Sequence, residues 1–203
     1  LPGNGTILAT SEERENLWRH AAQRIVQMAN EFDQKGEGHG LLPREMCTVE
    51  AFDNAMVLDM AMGGSTNTLL HTLAIAREAG VEYDIARVNE ISNKTPNVCK
   101  VSPSSKYHVQ DVHLAGGIHT ILGEVARARP ELLATDRPTV SGKTLGENIA
   151  DYDVRAETAL PEARRVQRAG GVGKGKGTWK MVRSAQDKGA VGVLDPPVGG
   201  GGD

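Results

Sequence analysis

The sequence predicts the α/β class: a helix-rich domain carrying a few short strands. Apolar residues recur at helical spacing through most of the first 150 residues. Two short runs, Val98–Val101 and Val140–Leu145, have the branched composition and flanking breakers of strands. With only two Trp, three Tyr and two Phe, the core must rest on Leu, Ile, Val, Met and Ala. A length of 203 residues, 39% hydrophobic and 24% charged, suits one domain or one domain with an appendage.

The elements follow in order. Thr10-x-x-Glu13 is a capping-box pattern, and Leu17, Ala21, Ile25, Met28 and Phe32 follow at spacings of four, four, three and four. An amphipathic helix is expected there, ending before the glycine-rich loop that starts at Lys35. Thr48 caps a second helix, in which Phe52, Ala55, Met56 and Met60 share a face while Val57, Leu58 and Ala61 cover much of the rest. A helix apolar nearly all round is a buried one. Gly63-Gly64 breaks it, and Ser65, Thr66 or Asn67 caps a third helix carrying Leu69, Leu70, Leu73 and Ala76, with Gly80 at its end. Asp84 caps a fourth, with Ile85, Val88 and Ile91. Val98–Val101, fenced by Pro96 and Pro103, is the best strand candidate. A fifth helix is expected from about Gly117 through Val125, and Val140–Leu145 reads as a strand end turning into a short helix.

Charge and composition exclude several classes. The net charge of −3 argues against a dedicated nucleic-acid binder, which carries a large basic excess. No apolar run is long enough for a bilayer span. Cys47 and Cys99 could form at most one bridge, so a disulfide scaffold is excluded and a reducing, cytoplasmic compartment is expected. Leu1–Thr6 lacks an initiator Met and a signal peptide, and reads as a turn from within a larger protein. The chain changes character near Asp151. Residues 1–150 carry net −5, whereas 151–203 carry net +2 and 11 of the 24 glycines. Residues 1–150 are therefore expected to form the domain and 151–203 a poorly ordered tail.

The stretch most suggestive of chemistry is Gly64-Ser65-Thr66-Asn67, a glycine turn feeding a helix N-terminus. Unpaired backbone N–H groups, the helix dipole and three polar side chains there suit a carboxylate or phosphate, although spacing alone favours a plain turn with an N-cap, since caps outnumber anion sites. Cys99 next to Lys100 has the look of a metal or cluster ligand. Cys47 lies 52 residues away with no C-x-x-C spacing, so both are read as structural thiols. His108, His113 and His119 with Asp111 do not align as a helical ligand set, and no metal site is assigned. His113, shortly before Gly116-Gly117, reads instead as lining a cleft at a helix start, and His71 as a core-edge histidine. Gly170-x-x-x-x-Gly175-Lys176 imitates a P-loop, but Gly177 stands where the hydroxyl residue belongs and no buried strand precedes it.

Five blocks carry a resemblance. They are Leu1–Thr6, Asn54–Met56 through Met62–Thr68, Leu73–Gly80, Pro96–Ser104, and Tyr107-His108 through Asp111-Val112-His113 to Gly117. In this order, over about 150 residues, the chain resembles the dihydroxy-acid and phosphogluconate dehydratase family, with Cys99-Lys100 and Tyr107-His108 favouring the dihydroxy-acid branch. Beyond Tyr152-Asp153-Val154 the resemblance fades.

The resemblance implies part of a layered α/β/α N-terminal domain. It also implies a hydro-lyase of branched-chain amino-acid biosynthesis that turns a 2,3-dihydroxy-3-methyl acid into a 2-keto acid. Family members use an iron–sulfur cluster as Lewis acid and Mg²⁺ to hold the substrate, and the full-length form is expected to be a homodimer. The family's cluster cysteines and Cys-Asp-Lys motif lie upstream of Leu1, and its serine base lies downstream. No catalytic residue or cofactor ligand is therefore assigned to this chain, and alone it is expected to be inactive. Gly64, Ser65, Thr66 and Asn67 remain the candidates for a substrate or anion loop. The alternatives are a sugar-acid or phosphogluconate dehydratase, or a non-catalytic binding or assembly remnant.

Overall fold

The computed structural model describes residues 1–99, 101–102 and 107–161. Among them all regular structure is helical. In chain order the elements are α1 (Glu12–Lys35), α2 (Pro43–Met46), α3 (Val49–Met62), α4 (Thr66–Ala79), α5 (Ile85–Lys94), α6 (Val109–Leu114), α7 (Gly117–Ala128), a 3₁₀ turn at Pro130–Leu132, and α8 (Leu145–Tyr152).

The expected α/β class is therefore corrected: the described residues form a helical domain with no strand or sheet. At the first strand candidate, the amides of Val98 and Cys99 both donate to the carbonyl of Ala61, at 2.8 and 2.9 Å. That carbonyl lies in the last turn of α3, where helical acceptors lack partners of their own. The extended segment thus serves as a helix end-cap, and these two amides are spent on α3. At the second candidate a lone bridge between Pro138 and Thr144 closes a tight turn. Thr139, Ser141 and Asn148 satisfy one another there through side-chain bonds of 2.8 to 3.0 Å.

Most helix boundaries follow from capping chemistry. Thr48 accepts from the Ala51 amide at 3.3 Å, Ser65 from Asn67 at 3.2 Å and Asp84 from Arg87 at 2.8 Å. The cap of α1 is Ser11, which accepts from Glu13, one residue later than the capping-box pattern places it. Thr144 forms a capping box with Glu147 at the start of α8.

α3 and α7 make the centre. α3 buries Phe52, Met56, Val57 and Ala61, while Ala55, expected on that face, is exposed. α7 buries Ile121, Leu122 and Val125 against it. Val88 and Ile91 of α5, Val112 of α6 and Ile149 of α8 complete the core with Val98 and Cys99. Each fully buried aliphatic side chain contributes about 1.5–3 kcal/mol. Polar links fix the neighbours: Asp53 on α3 receives the Tyr83 hydroxyl at 2.9 Å and the Arg87 guanidinium at 2.5 Å.

Two acidic groups sit in this core. Glu124 and Asp153 are 1% and 0% exposed, and Arg127 reaches both, at 2.7 and 2.6 Å. Arg155 adds a second ion pair to Glu124. The network pins the residues after α8 onto α7.

α1 behaves differently. No residue in its 24 is buried, and Trp18, Ile25 and Val26 are 58%, 68% and 58% exposed. It is held mainly by polar ties. Arg14 donates to Asn4 and to the Ile7 carbonyl, and Arg24 donates to the Val140 carbonyl at 3.0 Å.

Candidate functional site

The loop singled out by its residues is an exposed helix start. Ser65, Thr66 and Asn67 face solvent, and the Asp59 carboxylate of α3 already accepts from the Ser65 amide at 3.2 Å. Gly64 is required by this arrangement, since a methyl group there would overlap that carboxylate. An internal anion thus occupies one of the N–H groups that a ligand would use, while the Ser65, Thr66 and Asn67 side chains remain accessible.

Cys99 lies fully inside the core, and burial pushes its thiol up to about 11, which favours the protonated form over a ligating thiolate. Cys47 follows α2 in a half-buried position. Among the described residues no three His, Cys, Asp or Glu side chains converge to hold a metal ion. His108 caps α6, donating its amide to Asp111 at 2.7 Å, and His71 is exposed on α4 rather than at the core edge. The P-loop-like stretch from Gly170 to Lys176 and Lys100 lie outside the described residues.

The structure builds a different site, at the start of α7. A cavity of about 310 Å³ opens between α1, the N-terminal turn, the α6–α7 junction and the end of α8. His113 lines it at a helix start, as its place before the glycine pair suggests. Its Nδ1 lies 3.1 Å from the hydroxyl of Thr6, itself 3% exposed, so the turn at residues 1–6 is fastened across to α6. Gly116 has φ 118°, and a side chain there would collide with Thr120 and Val154. α7 consequently starts with no side-chain cap, and its first residues line the cavity.

One turn further, His119 packs against Tyr152 with ring centroids 5.5 Å apart. Burial pushes its imidazole down to about 4, so the ring is neutral at pH 7. Glu13, Asn16 and His20 complete the polar lining from α1, and Pro2, Ile7, Leu17 and Ile118 the apolar one. Thr6, Asn16 and His20 carry no local signature, because residues about a hundred positions apart meet only through the fold.

With this geometry in view, the comparisons are decisive. Residues 1–148 match the model of the dihydroxy-acid/6-phosphogluconate dehydratase N-terminal domain. The chain belongs to this dehydratase family. A dihydroxy-acid dehydratase of Akkermansia muciniphila is 54% identical over 173 residues, covering 85% of this chain and 30% of that protein. One from Aquifex aeolicus is 52% identical over 151 residues, covering 74% of this chain and 25% of that protein. The first match extends beyond Val154, past the point where the residues alone lose the resemblance. This dehydratase segment spans under a third of the length of both relatives. No helix among its described residues is long and apolar enough to cross a membrane.

Proposed function

We propose that the chain is a segment of a dihydroxy-acid dehydratase. The complete protein removes water from a 2,3-dihydroxy-3-methyl acid to give a 2-keto acid in branched-chain amino-acid biosynthesis. The observation carrying this reading is identity above one half to two proteins of that name from different organisms, sustained over most of this chain.

In this reading the iron–sulfur cluster and Mg²⁺ are held by parts of the complete protein outside this chain. The bound metals supply Lewis acidity towards the departing hydroxyl and the substrate oxygens. This segment supplies scaffold and contact surface, and the complete protein works in the cytoplasm as a homodimer. The exposed side chains of Ser65, Thr66 and Asn67, with Gly64, make that loop a surface where acid or cofactor meets the segment.

The test is turnover by the complete protein with reconstituted cluster and Mg²⁺. Keto acid from 2,3-dihydroxy-3-methylbutanoate, with none from 6-phosphogluconate, supports the reading; the reverse preference moves the protein to the other branch. Ser65→Ala and Asn67→Ala in the complete protein should lower kcat/KM at least five-fold. Unchanged values would make the loop structural only. The 203-residue chain alone should yield no keto acid.

A further inference from the structure

We propose that α1 is an association face on which a second copy of this chain docks antiparallel, helix against helix. The proposal deepens the homodimer reading above and rests on it only for the expectation that copies associate. The face itself follows from α1.

No residue of this 24-residue helix is buried, yet it carries a continuous apolar seam. Trp18, Ala22, Ile25, Ala29 and Phe32 follow at spacings of four, three, four and three. That is the roughly 3.5-residue repeat of a coiled-coil contact line. The half-buried Leu17, Arg24 and Met28 mark the side turned to the domain. The seam runs along the flank beside them, where Trp18 and Ile25 are mostly exposed.

Large and small residues alternate along the seam, and that decides how a copy fits. In an antiparallel pair each layer sets a large side chain on a small one: Ile25 on Ala29 of the second copy, and Phe32 on Ala22 of the second copy. Trp18 then lies over Gly36 of the second copy, where the space a side chain would occupy is open. A parallel pair would stack Trp18 on Trp18 and Ala22 on Ala22, leaving voids between the layers. Charge selects the register. At this alignment the exposed Val26 meets its own copy across the two-fold axis, and Arg19 faces Asp33 of the second copy at both ends. Asp33 is exposed, and Arg19, although bonded to Glu15 of its own helix, keeps 66% of its side chain in solvent. Sliding the pair by one heptad would instead set Glu12 against Asp33, like charge against like. One helix per partner buries less than the roughly 1,200 Å² of a standard interface, so the expected dissociation constant is on the order of tens of micromolar.

Sedimentation equilibrium of the 203-residue chain should show a monomer–dimer balance that Ile25→Glu weakens at least ten-fold. Circular dichroism checks that this exposed substitution leaves the helices intact. Arg19→Asp and Asp33→Arg should each weaken the dimer at least three-fold, and the double variant should recover the parent value. That recovery is a signature that lost folding could not produce. Position is read by a short bis-maleimide in a Cys47→Ser background, with Cys99 buried. Val26→Cys should give cross-linked dimer, whereas Gln27→Cys, one residue on and turned away from the seam, should give at most a tenth as much. A chain that stays monomeric at millimolar concentration, a dimer indifferent to Ile25→Glu, no recovery in the double variant, or equal cross-linking from both positions would overturn the proposal. So would a monomeric chain whose thiol at position 26 is shielded from maleimide in the complete protein, which would give the face to another part of that protein. Absence of turnover in the complete protein would sink the dehydratase reading and leave the pairing standing. Turnover with a monomeric chain would sink the pairing alone.

Discussion

The carboxamide of Asn54 closes a ring of two hydrogen bonds with the backbone of Ala134. Its Nδ2 donates to the Ala134 carbonyl at 3.0 Å, and its Oδ1 accepts from the Ala134 amide at 2.9 Å. One side chain on the central helix thus does for the loop after the 3₁₀ turn what a neighbouring strand would do in a sheet. Asn54→Ala leaves a half-buried donor and acceptor without partners and should cost about 2 kcal/mol. Asn54→Asp keeps the shape but sets a carboxylate against a carbonyl, and should be no less destabilising. Urea midpoints of the two variants check both statements.

Gly64 and Asp59 should be energetically coupled. Gly64→Ala forces the carboxylate away from the Ser65 amide, with an expected loss of about 1 kcal/mol. In an Asp59→Ala background the same methyl group no longer meets the carboxylate and faces only the backbone carbonyl of residue 59 at 3.2 Å, so most of the penalty should vanish. A double-mutant cycle measures this directly, and strict additivity would contradict the close approach.

Arg127 holds two buried carboxylates. Arg127→Met keeps the aliphatic stem but removes the charge shared by Glu124 and Asp153. The expected loss is about 3 kcal/mol, reduced from larger values for buried pairs because the Arg127 side chain is 43% exposed and Arg155 still reaches Glu124. Arg137→Met, whose partner Asp136 is exposed, should stay within about 0.5 kcal/mol of the parent.

His119 sets a pH dependence. Its imidazole titrates near 4 in the folded chain and near 6.5 when unfolded, so between those values the unfolded state binds more protons. Its contribution is complete above about pH 6.5, declines as pH falls, and is lost below about pH 4, a total on the order of 3 kcal/mol. His119→Phe should flatten that part of the stability–pH curve while keeping a ring against Tyr152. An unaltered slope would place the titrating group elsewhere.

Local chemistry made much of this fold readable. The α1 spacing, the caps at Thr48, Ser65 and Asp84, and the apolar α3 are decided by neighbours within four residues. α6 escaped because six residues are too few to show a period. The segment at Val98 misled because a branched run between prolines looks the same whether its amides meet a strand or the end of a helix. At the cavity, His113 was readable from the glycines behind it. Thr6 and His20 were not, since nothing in their surroundings along the chain points to their partners.

The unburied state of α1 carries a kinetic meaning. A helix attached by arginine contacts, with its tryptophan facing water, opens without breaching the core. The chain therefore has two clocks. Amide protons on α1 should exchange with solvent at rates set by that local opening, while those of α3 and α7 wait for global unfolding. Destabilising the core through Asn54 would quicken the slow clock and leave the fast one where it is.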